Sequence, residues 1–169
     1  MGKGSAVLVD PPLMLKDAED LLEWVKTVAN NQISATFISH HHPDHFCSTN
    51  IIIQLYPSAK LYAAPYIVDD ISREYEIKVR FVQNLLDVKA TAWLTKPQPY
   101  PWSFFILDGN ESSPIILLGP MQGNCINSSV FWLPNERTVI AGDIIYPIPT
   151  PKSFSNVKRL KVMRLYTHG

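Results

Sequence analysis

Cysteine is scarce in this sequence, which has only Cys47 and Cys125 among its 169 residues. The two lie far apart along the chain and form no C-x-x-C pair, so they do not indicate a disulfide framework. Net charge is also lacking, because fifteen basic side chains balance fifteen acidic ones. A neutral chain lacks the excess of basic residues that is typical of proteins that bind nucleic acid or an anionic membrane. We therefore expect neither as a partner. From the lack of a disulfide framework we expect a reducing cytoplasmic location.

Long apolar runs are missing as well. No stretch approaches the ~20 apolar residues of a membrane span, and residues 1–9 are too short an apolar run for a signal peptide. There is no internal repeat. The remaining composition, 46% hydrophobic and 18% charged, is typical of a globular protein. The length predicts a single domain over residues 1–169.

The first half of the sequence alternates apolar strands with amphipathic helices. Residues 5–10, "SAVLVD", predict a short buried strand that is ended by two prolines. Apolar residues at helical spacing between Ala18 and Ala29 predict a helix. Residues 33–40, "ISATFISH", predict a second buried strand. Because strand, helix and strand follow one another with short links, the two strands should be parallel neighbours.

The rest of the chain becomes progressively richer in strands. Residues 48–57 favour a helix capped by Ser or Thr, although their three isoleucines also suit a strand. A short strand at 59–64 and a helix over 66–90 follow, and the prolines of 96–102 predict a turn-rich connection. Apolar runs separated by turns then predict four strands, at 104–108, 114–119, 128–134 and 138–143. The tail, 147–169, is basic and weakly patterned.

Four of the five histidines lie close together directly after the second predicted strand, in "HHHPDH", residues 40–45. Ligands collect at the carboxyl ends of strands in α/β sheets. Side chains two apart in an extended segment share a face, so His40 and His42 can reach a common ion while His41 points away. Asp44 and His45 follow a proline that turns the chain towards the same cavity. Imidazole and carboxylate ligands suit zinc, iron or manganese, so the cluster predicts a site for one or two metals.

Histidine runs also have other origins. They occur as purification tags, surface tracts and pH-responsive patches. A tag lies at a terminus and lacks an interleaved aspartate, whereas this cluster is internal and follows a buried strand. A metal site is the better interpretation.

Two motifs resemble one known family. "HHHPDH" resembles the H-x-H-x-D-H signature of the metallo-β-lactamase superfamily, and "VIAGDIIY", residues 139–146, resembles its later Gly-Asp strand end. The resemblance covers residues 6–146, with both motifs in the family's order. It implies an α/β fold, the four-layer αββα sandwich, truncated here at the C-terminal side with an atypical tail over 147–169.

The resemblance also implies a ligand set and a chemistry. His40 and His42 would bind one metal, Asp44 and His45 a second, and Asp143 would bridge them. The implied cofactor is Zn2+, as one or two ions, and the implied reaction is hydrolysis of an ester, thioester, lactone, amide or phosphoester in a small-molecule substrate. Asp44 would be catalytic, because it would orient a metal-bound hydroxide that exists near neutral pH.

The sequence departs from the family pattern at the third histidine of the first metal. Counting back from the Leu-Pro strand end places Asn124 there, or Gln122 if two residues are inserted. An amide oxygen is a weak ligand for such metals. Cys125 is a possible substitute, because a thiolate binds zinc well, although a small buried cysteine is the simpler interpretation. The family's late histidine for the second metal has only His168 as a counterpart, and we expect that residue to have no role.

The missing C-terminal portion should leave apolar surface uncovered, so a homodimer, another partner or marginal stability is expected. Two functions stay open: a zinc-dependent hydrolase with a reduced ligand set, and a degenerate, non-catalytic protein that acts as a binding module or truncated product. An iron-binding redox protein of the same fold is a third, weaker interpretation. The aromatic residues Trp93, Tyr100, Trp102 and Trp132 either line a substrate pocket or fill the core.

Overall fold

A computed structural model describes residues 4–28, 32–86, 96–109, 112–145 and 162–164. These residues form two β-sheets and three α-helices. The elements in chain order are β1 (Ala6–Val9), α1 (Leu15–Val28), β2 (Ile33–Ile38), a 3-10 turn (Pro43–His45), α2 (Thr49–Leu55), β3 (Lys60–Ala63), α3 (Pro65–Leu86), β4 (Gln98–Pro99), β5 (Phe104–Phe105), β6 (Ile115–Met121), β7 (Ser128–Leu133), β8 (Thr138–Ile140) and β9 (Val162–Arg164).

The first sheet is parallel, with strand order β1-β2-β3-β4. The helices that connect these strands pack on one of its faces. Ile38 and Leu61 on that face contact Ile67 and Ile71 of α3, and Leu8 contacts the cluster that holds Leu22 of α1 and Ile52 of α2. The prediction of parallel neighbours is therefore confirmed for β1 and β2. Because these strands run in one direction, they deliver Asp10 and Ser39 to the same edge.

The second sheet contains β5 to β9 in sequence order, and every pairing is antiparallel. Its inner face packs on the first sheet through alternate residues of the strands. Its other face carries exposed apolar side chains, among them Phe104, Ile106, Leu118 and Met121. The described residues thus form helix, sheet and sheet layers with apolar surface on the outside of the second sheet, as the sequence led us to expect.

Phe37 is at the centre of the contact between the two sheets. It is 2% exposed. Its ring stacks on Phe105 with the centroids 4.5 Å apart, and it meets Tyr100 and Phe131 edge-on. Tyr100 thus belongs to the core, whereas Trp102 is exposed and Trp93 lies outside the described residues.

Replacing Phe37 with alanine should strongly destabilise the fold. Removal of a buried phenylalanine ring typically costs about 3–5 kcal/mol, because apolar burial is lost and a cavity remains. Phe104→Ala is the matched control, because Phe104 is half exposed and its removal should cost less than about 1 kcal/mol. Urea denaturation measures both. Equal losses for the two variants would contradict this assignment of the core.

Most predicted elements are confirmed, with three differences. The predicted helix within residues 48–57 forms as α2 (Thr49–Leu55), but the side chain of Ser48 makes no cap hydrogen bond and donates instead to the carbonyl oxygen of Pro12. The proline-rich connection 96–102 contains the two-residue strand β4. The weakly patterned tail contributes β9, which pairs with β8. The predicted end of the helix over 66–90 and His168 lie outside the described residues. Within those residues, no helix is both long and apolar enough to cross a bilayer.

Candidate metal centre

The histidine cluster forms a compact loop at the carboxyl end of β2. After Ile38 the chain makes a bend at Ser39–His41, and Pro43 begins the 3-10 turn that carries Asp44 and His45. His40 and His45 are buried at 1% and 5% exposure. A buried histidine needs polar partners, since an apolar surrounding penalises its ring nitrogens. The partners of these two come from the loop itself and from the segments that follow β1 and β8.

Three groups of side chains lie close enough to hold a cation, with ligand atoms within 4.8 Å of one another in each group. The groups share His40, His45 and Asp143 between them. Their members are His40, His42 and Asp143; Asp44, His45 and Asp143; and Asp10, His40 and His45. All five sequence-predicted ligands are therefore brought together, and Asp143 belongs to both of the groups that the resemblance implied.

Asp143 reaches the cluster from the second sheet. Its Oδ2 lies 3.4 Å from His45 Nε2 and 4.0 Å from His40 Nε2. Gly142 makes this approach feasible. Its φ is +51°, and a Cβ atom there would lie 2.5 Å from Ser39 Oγ, so both the backbone conformation and the space require glycine.

Asp10 is a site residue that the sequence analysis missed. It follows β1 with a φ of 54°, a conformation that Asp tolerates better than most residues. Its two carboxylate oxygens accept hydrogen bonds from the backbone N–H and the hydroxyl of Ser39, at 2.7 and 2.6 Å. Oδ2 also lies 3.1 Å from His45 Nδ1. The signal was available, because an aspartate at the end of the neighbouring parallel strand had to reach the same edge.

The Asp10 contact sets the tautomer of His40. The hydroxyl of Ser39 donates its single proton in the hydrogen bond to Asp10. The Ser39 oxygen can therefore only accept a hydrogen bond from His40 Nδ1, which lies 3.0 Å away. The proton on Nδ1 leaves the Nε2 lone pair directed at His42 and Asp143. Burial, reinforced by the nearby His45 ring, lowers the pKa of His40 to about 3. His40 is therefore a neutral imidazole, which is the form that binds metals.

His45 has the opposite electrostatic environment. Burial alone would lower its pKa, but the surrounding carboxylates of Asp10, Asp143 and Asp44 outweigh burial and raise the pKa to about 10. Three carboxylates thus converge on one buried ring. Such a concentration of negative charge favours a cation at this place, either the imidazolium itself or a metal.

Asn124 occupies a central position among these groups. Its Nδ2 lies 3.1 Å from His42 Nδ1 and donates to Asp143 Oδ2, also at 3.1 Å. The gap-free count from the Leu-Pro strand end therefore selected a residue that contacts two of the candidate ligands. Gln122 is exposed after β6. Cys125 belongs to none of the three groups found among the described residues, and its sulfur lies 3.2 Å from Ser128 Oγ.

The donor set and its spacing fit a divalent metal. His40 Nε2 and His42 Nδ1 face each other at 3.1 Å, and a tetrahedral zinc with bonds of 2.0–2.1 Å separates two nitrogen ligands by about 3.3 Å. Both ring nitrogens of His45 are buried without a hydrogen bond, although carboxylate oxygens lie 3.1–3.6 Å away. Buried polar atoms of this kind require a partner, and a cation between the rings and the carboxylates would supply it.

Comparison with known proteins agrees with this geometry. The model of the metallo-beta-lactamase superfamily matches residues 2–164, which is longer than the span of 6–146 that the motifs suggested. No curated protein matches the chain. The chain belongs to the metallo-beta-lactamase superfamily.

Solved structures show the same fold. A metallo-beta-lactamase from Pontibacter korlensis superposes with a TM-score of 0.59 at 16% identity, covering 82% of this chain and 55% of that one. A metallo-beta-lactamase family protein from Thermus thermophilus gives 0.55 at 18% identity, covering 83% and 51%. Metallo-beta-lactamase IND-7 gives 0.59 at 16%, covering 82% and 54%. The chain thus spans about half the length of these proteins.

Proposed function

We propose that this protein is a zinc-dependent hydrolase that binds one or two ions among the loops described above. The observation that supports this most strongly is the convergence of three imidazoles and three carboxylates from residues 10, 40–45 and 143 within the distances that a metal requires. Membership of a superfamily of metal-dependent hydrolases agrees with it. Zinc is the first choice because the donors are nitrogen and oxygen atoms at tetrahedral spacing.

Each side chain has an assigned part in this proposal. His40 and His42 would hold one ion and Asp44 and His45 the other, with Asp143 shared by both. Asp10 and Ser39 orient the His40 ring and keep its proton on Nδ1. When bound, the metal supplies a Lewis acid and lowers the pKa of water from 15.7 towards about 7.

Asp44 is the group that handles a proton in this proposal. Its side chain is 42% exposed, whereas those of His40, His45 and Asp143 are 1–6% exposed. It is therefore the carboxylate of this group that solvent reaches most easily. Its Oδ2, 3.6 Å from His45 Nε2, can accept a hydrogen bond from an attacking water and orient the water's lone pair towards a carbonyl carbon.

The proposed substrate class is a small molecule with a hydrolysable ester, thioester, lactone or amide bond. The named structural neighbours are metallo-beta-lactamases, and those names concern proteins about twice as long as this chain. Acyl hydrolysis is the chemistry that an activated water and a polarised carbonyl oxygen support.

A second candidate function is favoured by Asn124. Its amide group donates a hydrogen bond to Asp143 and contacts His42. A neutral side chain therefore takes up part of the hydrogen-bonding capacity of the groups that would hold the first ion. An amide nitrogen cannot bind a cation. A non-catalytic binding module that keeps the fold and has lost tight metal binding is therefore the alternative.

Metal analysis separates the two functions. Chelator-treated protein is dialysed against buffer with Zn2+ and then against metal-free buffer, and its zinc content is measured before an ester, thioester and lactone screen. The hydrolase should retain about one equivalent or more. A double variant, His40→Ala with His42→Ala, controls for adventitious zinc. Zinc content no higher than in the control, together with no turnover, would leave the binding module as the function.

A further inference from the structure

His41 is the histidine of the cluster that belongs to none of the three candidate ligand groups found among the described residues. Its ring is buried at 8% exposure and is directed at two carboxylates of α3. Nε2 lies 3.2 Å from Glu74 Oε2, within hydrogen-bond distance, whereas Nδ1 lies 3.7 Å from Asp70 Oδ2, a contact that is too long for a hydrogen bond. His41 thus links the loop that carries His40 and His42 to one helix of the framework.

Asp70 contacts a second loop through the same carboxylate oxygen. Oδ2 accepts a hydrogen bond of 2.8 Å from Asn127 Nδ2, while Oδ1 pairs with Arg73. The residue is only 4% exposed. Burial alone would raise the pKa of Asp70, but the hydrogen bonds from Asn127 and Arg73 outweigh burial and lower it. The carboxylate is therefore charged, and its hydrogen bond to Asn127 is of the strong, charge-assisted kind.

Asn127 stands three residues after Asn124, in the segment between β6 and β7. Asn124 touches His42 and Asp143. One carboxylate oxygen of Asp70, on a 22-residue helix, therefore faces the histidine loop and accepts a hydrogen bond from the segment whose Asn124 contacts two candidate ligands. Side chains on a helix place such contacts more accurately than side chains on loops do.

We propose that Asp70 is a positioning residue for the metal centre, which fixes the 122–127 segment through its hydrogen bond to Asn127 and lies against His41 of the histidine loop. This inference rests on the proposed function. Outer contacts that orient metal ligands are commonly worth 10–100-fold in affinity, because a ligand that is free to turn loses its preorganised direction.

Glu74 provides a matched control one turn further along the helix. It also faces His41, but its other ion pairs are with Lys78 and Arg73 and it is more exposed than Asp70. Loss of a carboxylate beside His41 is common to Asp70→Ala and Glu74→Ala. Loss of the anchor for Asn127 is specific to Asp70→Ala.

Zinc titration by calorimetry into chelator-treated protein gives the first readout. Asp70→Ala should weaken zinc binding about 10–100-fold, and Glu74→Ala should stay within about threefold of the parent. Asp70→Asn keeps a carbonyl oxygen for Asn127 and should restore most of the affinity. The visible spectrum of the Co2+ form should change in Asp70→Ala and return in Asp70→Asn, which a general loss of stability would not produce. Parental affinity in Asp70→Ala, or equal losses in both alanine variants, would overturn the proposal.

Hydrogen exchange on the metal-free protein gives a second readout that does not depend on zinc. Asp70→Ala should increase deuterium uptake in residues 39–46 and 122–127, whereas Glu74→Ala should leave 122–127 unchanged. If the parent binds no zinc, the proposed function fails and this exchange experiment alone decides the role of Asp70. If uptake in both segments is unchanged in Asp70→Ala, the positioning role is refuted even where the parent binds zinc.

Discussion

Replacing Asp143 with asparagine should reduce zinc affinity by at least about 100-fold. Its carboxylate is a member of two ligand groups, so the substitution removes a negatively charged ligand from both at once. Substitution also leaves His45 with fewer carboxylates to compensate its burial. Competition with a chromophoric chelator measures the dissociation constants of parent and variant.

Asp17→Asn controls for the change in net charge, because Asp17 is an exposed residue in the first turn of α1. It should leave the affinity within about twofold of the parent, since exposed charges at a distance are screened. Far-UV circular dichroism confirms that both variants are folded. If Asp143→Asn binds zinc as tightly as Asp17→Asn, Asp143 is not a ligand and the proposed bridge is wrong.

Asn124→His should increase zinc affinity by about 10–100-fold. The amide nitrogen lies 3.1 Å from both His42 Nδ1 and Asp143 Oδ2, so an imidazole in its place can direct a lone pair at an ion held by those groups. Imidazole is a far better zinc ligand than a carboxamide. Calorimetry and the acyl-hydrolase screen, run on parent and variant together, test this.

Ile126→His is the matched control for adding a histidine to the same segment. Its side chain is 73% exposed, so the new ring should not reach the cluster and the affinity should not change. Activity in Asn124→His with none in the parent would favour the binding module as the function of the natural chain. Unchanged affinity in Asn124→His would show that residue 124 does not stand at a ligand position.

The β1-α1-β2 part of the first sheet could be predicted because local sequence determines it. β1, α1 and β2 each carry a complete apolar pattern, and short links require parallel pairing. β9 could not be predicted in the same way. Its three residues, Val162–Arg164, lie in a basic segment without alternation, and they form a strand because β8 offers them an unpaired edge. Pairing across a distance in sequence depends on tertiary context.

The candidate site likewise contains residues that a local motif predicts and residues that only the tertiary structure reveals. The candidate ligands within residues 40–45 and the Gly-Asp strand end are visible as motifs. Asp10 was overlooked because a single aspartate before two prolines is also typical of a simple strand end. Asp70 and Asn127 have no motif, since their contact joins a helix to a loop 57 residues later. Only the packing of α3 against the segment between β6 and β7 reveals it.

The groups that converge on the site come from residues 10, 40–45 and 143, and this wide separation connects ion binding to the folding equilibrium. In an unfolded chain only the histidines of residues 40–45 stay close together, so the complete set of candidate ligands converges in the native state alone. A cation present at about a hundred times its dissociation constant then adds about 2.7 kcal/mol to the free energy of unfolding. For a chain with exposed apolar sheet surface, the abundance of folded molecules would follow the supply of the ion.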